Sequence, residues 1–423
     1  MMSVERLRIE KLGHRGEGVA SFGGRRVFVP YALPGETVTA EVDGDHGRLV
    51  DIVDASPQRI APICPHFEDC GGCAVQTLSA DAYAEWKRGL VERALLNAGL
   101  QLDVAPLVDA HGAGRRRVTF HARFDSGKTH VGFMAARSHR IVEIDCCPLL
   151  APELDGALAA ARAIAAVLAP RGKPLDIAVT ATLGGLDMEL RGAGPLVDEE
   201  ASALIAAAGV HNLARLTNHG RLIALRRAPQ IKIGEAALTL PAGAFLQATQ
   251  AGEDEIAARV CKATQNALSV VDLFCGVGAF ALRLAQRAKV STYDSDGSAI
   301  AAMRAAAQAA QGLLPLEGIE RDLFARPLSA RELNGFDAIV FNPPRAGAAA
   351  QAAEIARSDV PILVAVSCNA QSFARDAAFL LKGGYVIREI APLDQFRYAA
   401  HVEIVAVLER ESRRKSAKRR LLG

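Results

Sequence analysis

Hydrophobic and polar positions change rhythm along the chain. Over residues 1 to about 57, short runs alternate apolar with polar residues (RLRIEKL, GGRRVFVPYAL, ETVTAEVDG), separated by Gly and Pro-Gly turns. A period of two broken by turn residues is the pattern of half-buried strands, and it predicts a small β-barrel. Residues 58 to 75 lose the alternation and form a loop with three Cys. Residues 77 to 100 have a helical pattern that opens at Thr77 or Ser79 and closes near Gly99. Residues 105 to 150 and 174 to 230 read as mixed strands with a helix at 152 to 170, an α+β region.

From about residue 251 helices and apolar strands alternate. A helix over 251 to 266 precedes the strand Val270 to Phe274, a Gly turn and a helix over 279 to 288. A strand over 289 to 293 ends at Asp294, a helix covers 297 to 310, and strands follow at 337 to 341 and 361 to 366. This rhythm predicts a doubly wound parallel sheet, with further strands at 384 to 390 and 401 to 408. The expected division is a barrel over 1–57, a central α+β region over 58–230 and a Rossmann-like α/β domain over 231–423, with the 77–100 helix able to pack on the last.

Composition narrows the class. The 423 residues are half hydrophobic and 23% charged, which suits several folded domains. A net charge of +2 means that any basic surface is local. The clearest basic run is the tail, Arg413-Arg414-Lys415 and Lys418-Arg419-Arg420, either a solvated terminus or an arm on RNA phosphates. No stretch approaches the ~20 apolar residues of a membrane helix, and the N-terminus lacks the apolar run of a signal peptide. The expectation is a cytoplasmic, monomeric protein without membrane contact, whose eight Cys are ligands, nucleophiles or core residues rather than disulfides.

Several motifs carry chemistry. Val270 to Phe280 spells a strand, a Gly turn (Gly276, Gly278) and a helix start, which can present backbone N–H groups to a ligand. The next strands end at Asp294 and near Asp322, acidic positions suited to ribose hydroxyls and adenine; Asp296 competes with Asp294 for the ribose, and Asp294 could instead cap the following helix. Asn342-Pro343-Pro344-Arg345 closes the fourth strand, the prolines stiffening a loop that presents a carboxamide. Cys368, in Ser367-Cys368-Asn369, stands at the carboxyl edge of the sheet, where ligands bind. A lone Cys is usually core; its position favours a nucleophile. Glu403 interrupts an apolar strand, and a carboxylate there needs a partner or a purpose. A base facing Cys368 would be one. Cys64, Cys70 and Cys73 form a Cys-x5-Cys-Gly-Gly-Cys loop, with Cys147, followed by Pro148, as the best fourth ligand. This spacing suits zinc and iron–sulfur about equally and differs from the Cys-x3-Cys-x2-Cys of radical enzymes.

Taken together, these residues resemble the RNA 5-methyluridine methyltransferases, and more closely the 23S ribosomal RNA branch with an N-terminal TRAM domain and a [4Fe-4S] cluster. DLFCG-x-G at 272–278, SCN at 367–369, H-x-E at 401–403, C-x5-CGGC at 64–73 and CPLL at 147–150 carry the resemblance, which covers nearly the whole chain. It implies Cys368 as nucleophile adding to uracil C6 and Glu403 as base. It further implies Gln247, Phe274, Gly276, Gly278, Asp294, Asp322 and Asn342 around S-adenosylmethionine (SAM) and the base, and Cys64, Cys70, Cys73 and Cys147 on the cluster. The barrel would be a TRAM-like RNA grip. Arg115-Arg116-Arg117 and 132–139 would help to hold the RNA loop, a uridine of 23S rRNA being flipped out to the thiol.

Two positions depart from the family. Asn342 stands where the family has Asp, and it resembles the N-P-P-Y of amino-group methyltransferases; Arg397-Tyr398-Ala399 replaces the P-x-T before H-x-E. Transfer RNA or another base remain as alternative targets. A 5-methylcytidine enzyme would need a second Cys in the Pro loop, which reads Asn-Pro-Pro-Arg here. A non-catalytic RNA-binding factor would not need Cys368 and Glu403.

Overall fold

The computed structural model describes residues 3–125 and 127–411. The basic tail at 413–420 lies outside the described residues. The N-terminal alternation produces a six-stranded sheet, Ser3–Arg8 to His46–Asp54, that wraps a core of Leu7, Ile9, Val27, Val29, Val38 and Val42. Gly18 faces this core, where a Cβ would stand 2.7 Å from the Ala32 carbonyl oxygen, so the chain passes only as glycine.

The central unit is a seven-stranded sheet, antiparallel but for one pair (Gly185–Arg191 with Arg215–Asn218), covered by the helices Ala157–Leu168 and Asp198–Val210. The C-terminal unit is an eight-stranded sheet. Its parallel strands Leu316–Glu320, Lys289–Asp294, Ser269–Leu273, Ala338–Phe341 and Ile362–Ser367 lie side by side in that order. The three central ones, Ser269–Leu273, Ala338–Phe341 and Ile362–Ser367, are mostly buried Val, Ile, Leu and Ala because both faces are covered, whereas the outer two carry polar residues. Glu403–Arg410 and Tyr385–Asp394 follow in the order, the former inserted antiparallel beside Ile362–Ser367.

Two features lay beyond the sequence pattern, and a third concerns the helix expected over 77–100. The helix expected over 279–288 is regular only across Ala281–Leu284; around it, i−3 and i−4 hydrogen bonds mix. A hairpin, Gln230–Ile233 with Ala236–Thr239, adds Ile231, Ile233 and Leu238 to the core of the C-terminal unit. The helix Ala80–Asn97 packs Val91, Ala94 and Leu95 into the other face of that unit, and Val108–Asp109 extends its sheet. No helix among the described residues is long and apolar enough to cross a membrane.

Candidate active site

Strand direction explains how the candidate nucleophile meets the candidate base. Ile362–Ser367 runs toward the carboxyl edge of the sheet and delivers Cys368 just beyond it. Glu403–Arg410 runs the opposite way, so its first residue starts at that edge. The register pairs Ser367 with Ile404, which sets Cys368 opposite Glu403. A parallel strand would have put Glu403 at the far end.

Electrostatics around the pair are uneven. Glu403 is 3% exposed, and burial pushes its carboxyl up to about 7 against a hydrogen bond from Gln395 that favours the ionised form. Burial and then the charge of Glu403 push the Cys368 thiol up, while Arg345 pulls it down. Arg345 thus supplies the cation that no sequence neighbour offered. Asn342, from the same Pro loop, is half-buried, and its carboxamide makes no hydrogen bond to the described residues.

The Gly turn lies beside this edge. Phe274, Gly276 and Gly278 all have positive φ (63°, 52° and 83°). A Cβ on Gly278 would sit 2.5 Å from Met303 Sδ, whereas Gly276 opens onto free space. Asp294 accepts from the Gly276 N–H (2.8 Å) and the Asp296 N–H (2.9 Å), so it braces the turn. The cap of helix Gly297–Ala309 is Asp296, not Asp294. Asp322 accepts from the N–H groups of Phe324 and Ala325. Asp272 was not singled out from sequence. It is wholly buried, neither carboxyl oxygen has a close hydrogen-bond partner, and its carboxyl is pushed up to about 8 by burial and then by Asp294, against the nearby Ala281 N–H. Such an orphan facing the turn fits a ligand that brings a cation, as the ammonium and sulfonium of SAM would.

Gln247 is buried where the central and C-terminal units meet. Arg116 and Arg117 hold its segment by donating to the carbonyls of Gln247 (3.1 Å) and Leu246 (2.9 Å), and Arg116 also pairs with buried Glu253. These two arginines are therefore engaged with protein rather than free for phosphates.

The loop before Glu403 is pinned from outside the sheet. Lys87, on helix Ala80–Asn97, is 0% exposed; it donates to Asp394 (2.8 Å) and to the carbonyls of Phe396 (3.2 Å) and His401. Tyr83 donates to the other Asp394 oxygen (2.6 Å) and accepts from the Tyr398 N–H (2.8 Å). Arg397-Tyr398-Ala399 is thus seated without the family's P-x-T, with Tyr398 at φ +63°.

A groove of about 1250 Å³ runs from His14, Arg15 and Arg26 of the barrel past Arg93 to Arg345 and Cys368. Cys64, Cys70, Cys73 and Cys147 line a separate cavity of about 330 Å³ together with Arg115. Burial raises the thiols of Cys70, Cys147 and Cys73, the last to about 11. Gly71 is pressed against the central sheet, where a Cβ would meet Ala136 N at 2.8 Å and Met134 O at 2.9 Å. Among the described residues no three His, Cys, Asp or Glu are gathered tightly enough to clasp a single ion.

Comparison with known proteins decides the family. Residues 2–48 match the TRAM domain, 254–359 the methyltransferase small domain and 320–411 the tRNA (uracil-5-)-methyltransferase family. An uncharacterized RNA methyltransferase of Brucella suis is 44% identical over 95% of this chain and 96% of its own. The 23S rRNA (uracil(1939)-C(5))-methyltransferase of Halomonas elongata is 34% identical over 95% of this chain and 88% of its own. The chain belongs to the RNA uracil-C5 methyltransferase family. It is a SAM-dependent RNA methyltransferase, with a TRAM domain at its N-terminus. Its fold is that of the Pyrococcus abyssi tRNA (uracil-54, C5)-methyltransferase solved with S-adenosyl-L-homocysteine, with a TM-score of 0.72, 22% identity and coverage of 95% of this chain and 99% of that one.

Proposed function

We propose that this enzyme methylates carbon 5 of a uridine in 23S rRNA through a covalent adduct on Cys368. The opposition of Cys368 and Glu403 at one sheet edge, at the end of a groove reaching the TRAM domain, carries the reading. The Cys368 thiolate adds to uracil C6, and the C5–C6 π electrons move into an enolate. C5 then takes the methyl group of SAM, whose carbon–sulfur bond breaks to leave S-adenosylhomocysteine. Glu403 removes the C5 proton, and the electrons restore the C5–C6 double bond as the thiolate leaves. Glu403, with its pKa near 7, is matched to that proton transfer. Gly276, Gly278, Phe274, Asp294 and Asp322 hold the donor; Gln247 and Asn342 bound the space between donor and base.

The ribosomal target rests on the Halomonas relative; transfer RNA is the second reading, favoured by the fold shared with the Pyrococcus enzyme. Cys64, Cys70, Cys73 and Cys147 line one cavity, and a set of four thiols suits a [4Fe-4S] cluster, with zinc as the alternative. Those four thiolates would hold the cluster, which would tie the Cys loop to the central unit.

Cys368→Ala is expected to abolish methylation with donor binding intact, and Glu403→Gln to accumulate a protein–RNA adduct on denaturing gels. Turnover by Cys368→Ala would sink the mechanism. Mapping 5-methyluridine in ribosomal and transfer RNA from a strain lacking the gene names the target, and absorbance of anaerobically purified protein tests for iron–sulfur.

A further inference from the structure

Gln395 is fully buried one residue past the strand that pairs with the start of Glu403–Arg410. Its carbonyl oxygen accepts from the Ala248 N–H at 3.0 Å. A backbone N–H can only donate, so this contact fixes which end of the carboxamide is which. The amide nitrogen therefore faces Glu403 Oε2 at 2.9 Å and Gln247 Oε1 at 2.7 Å, one hydrogen for each. Every hydrogen-bonding position in the contact is used in one direction only. The seat is made for this side chain: at Gly252, in the first turn of helix Gln250–Ala263, a Cβ would stand 2.9 Å from Gln395 Oε1 and 3.0 Å from its Cβ.

Two consequences follow for groups that touch the reactants. Glu403 Oε2 is committed to accepting, so a proton taken by this carboxylate must sit on Oε1. Gln247 Oε1 is likewise committed, and its amide nitrogen, which has no partner among the described residues, is left to donate to a ligand acceptor.

We propose that Gln395 is the positioning residue of the base, a carboxamide bridge that locks Glu403 so that Oε1 alone receives the C5 proton and locks Gln247 with its donors toward the ligand. The proposal rests on Glu403 being the base. It is distinct from a packing role, because the bridge also favours the ionised carboxylate.

The test is Gln395→Met, which keeps length and burial but removes both donors. Losing a hydrogen bond to the charged form raises the pKa of Glu403, so the acid limb of the pH–rate profile should move up by about one unit, the scale of one charge-assisted bond. Turnover on uridine RNA should fall by about fivefold at pH 7 and approach about tenfold at lower pH, following the unprotonated fraction. RNA carrying 5-fluorouridine separates a lost base from a lost fold: fluorine cannot leave as a cation, so Cys368 addition and methyl transfer end in a stable adduct without the base. At saturating RNA and donor, Gln395→Met should form that adduct within about twofold of the wild-type rate, since those steps do not use Glu403 and the loosened Gln247 is read in a raised KM. An unchanged pH profile, or adduct formation and turnover lost in parallel, would overturn the proposal. Glu403→Gln is run beside it: if that variant turns over, the base reading fails first; if it traps adduct while Gln395→Met behaves as wild type, only the role of Gln395 fails.

Discussion

Cys368 is a thiol in an unfavourable place for a thiolate: burial and Glu403 both push its pKa up, and Arg345 is the one charge that opposes them. Removing that cation should therefore raise the thiol pKa and shrink the thiolate fraction. Arg345→Gln is expected to slow alkylation of Cys368 by iodoacetamide at pH 8 by ~3- to 10-fold, equivalent to half to one pKa unit. Quantifying the Cys368 peptide by mass spectrometry without RNA keeps phosphate binding by Arg345 out of the measurement, and an equal rate would remove Arg345 as activator. Cys368 and Glu403 were legible in sequence because each breaks a local rule, a thiol at a strand end and a carboxylate inside an apolar strand. Asp272 breaks the same rule in Val270-Val271-Asp272-Leu273, whereas Gln395, just past Pro392-Leu393-Asp394, reads as an ordinary polar residue of a loop. What distinguishes them is a partner, or the lack of one, across about 150 residues of chain, and no local pattern carries that.

Among the elements, the helix Ala80–Asn97 acts at the longest range in sequence. Its existence follows from periodicity, but its role depends on Lys87, an ordinary residue of a surface helix until tertiary contact buries it against Asp394. Burial lowers the Lys87 pKa against the pull of Asp394, so the ion pair and the two carbonyls must hold the charge. Lys87→Met leaves Asp394 buried with Tyr83 as its remaining side-chain partner and should cost about 3 to 5 kcal/mol. Urea denaturation checks this, and a Lys87→Met, Asp394→Leu double variant should recover part of the loss because neither charge is then stranded. A loss below about 1 kcal/mol would mean that the pair is solvated. The sheet was legible because apolar strands between helices state their own environment, whereas the antiparallel insertion of Glu403–Arg410 depends on which strand lies next to it.

For the whole molecule, the question is why a thiol-lined cavity is tied to an enzyme site whose proposed chemistry involves no oxidation or reduction. A small core of Leu12, Leu33, Val75, Leu78, Tyr83 and Trp86 joins the barrel, the end of the Cys loop and the helix Ala80–Asn97, with Tyr398 and Ala400 packed on it. Directly after Cys73, the N–H groups of Ala74 and Val75 both donate to the Tyr398 carbonyl, at 2.8 and 3.3 Å. Arg115, which lines the cavity and whose Nε is buried without a partner, stacks 6.0 Å over Phe396. The Cys loop and the loop leading to Glu403 are therefore one mechanical unit, reaching the sheet through Gln395. If Cys64, Cys70, Cys73 and Cys147 hold a cluster, its loss frees the Cys loop and with it residues 394–402. Cys73→Ser is then expected to speed amide hydrogen exchange in 394–402 while exchange in the strand Ser269–Leu273, three places from Glu403–Arg410 in the sheet, stays slow. The 5-fluorouridine adduct should still form, and turnover on uridine should fall, because freedom of this loop displaces the base and leaves the nucleophile on its own strand. Unchanged exchange at 394–402 in a variant shown to lack iron would separate the two loops and leave the cavity a role confined to the central unit.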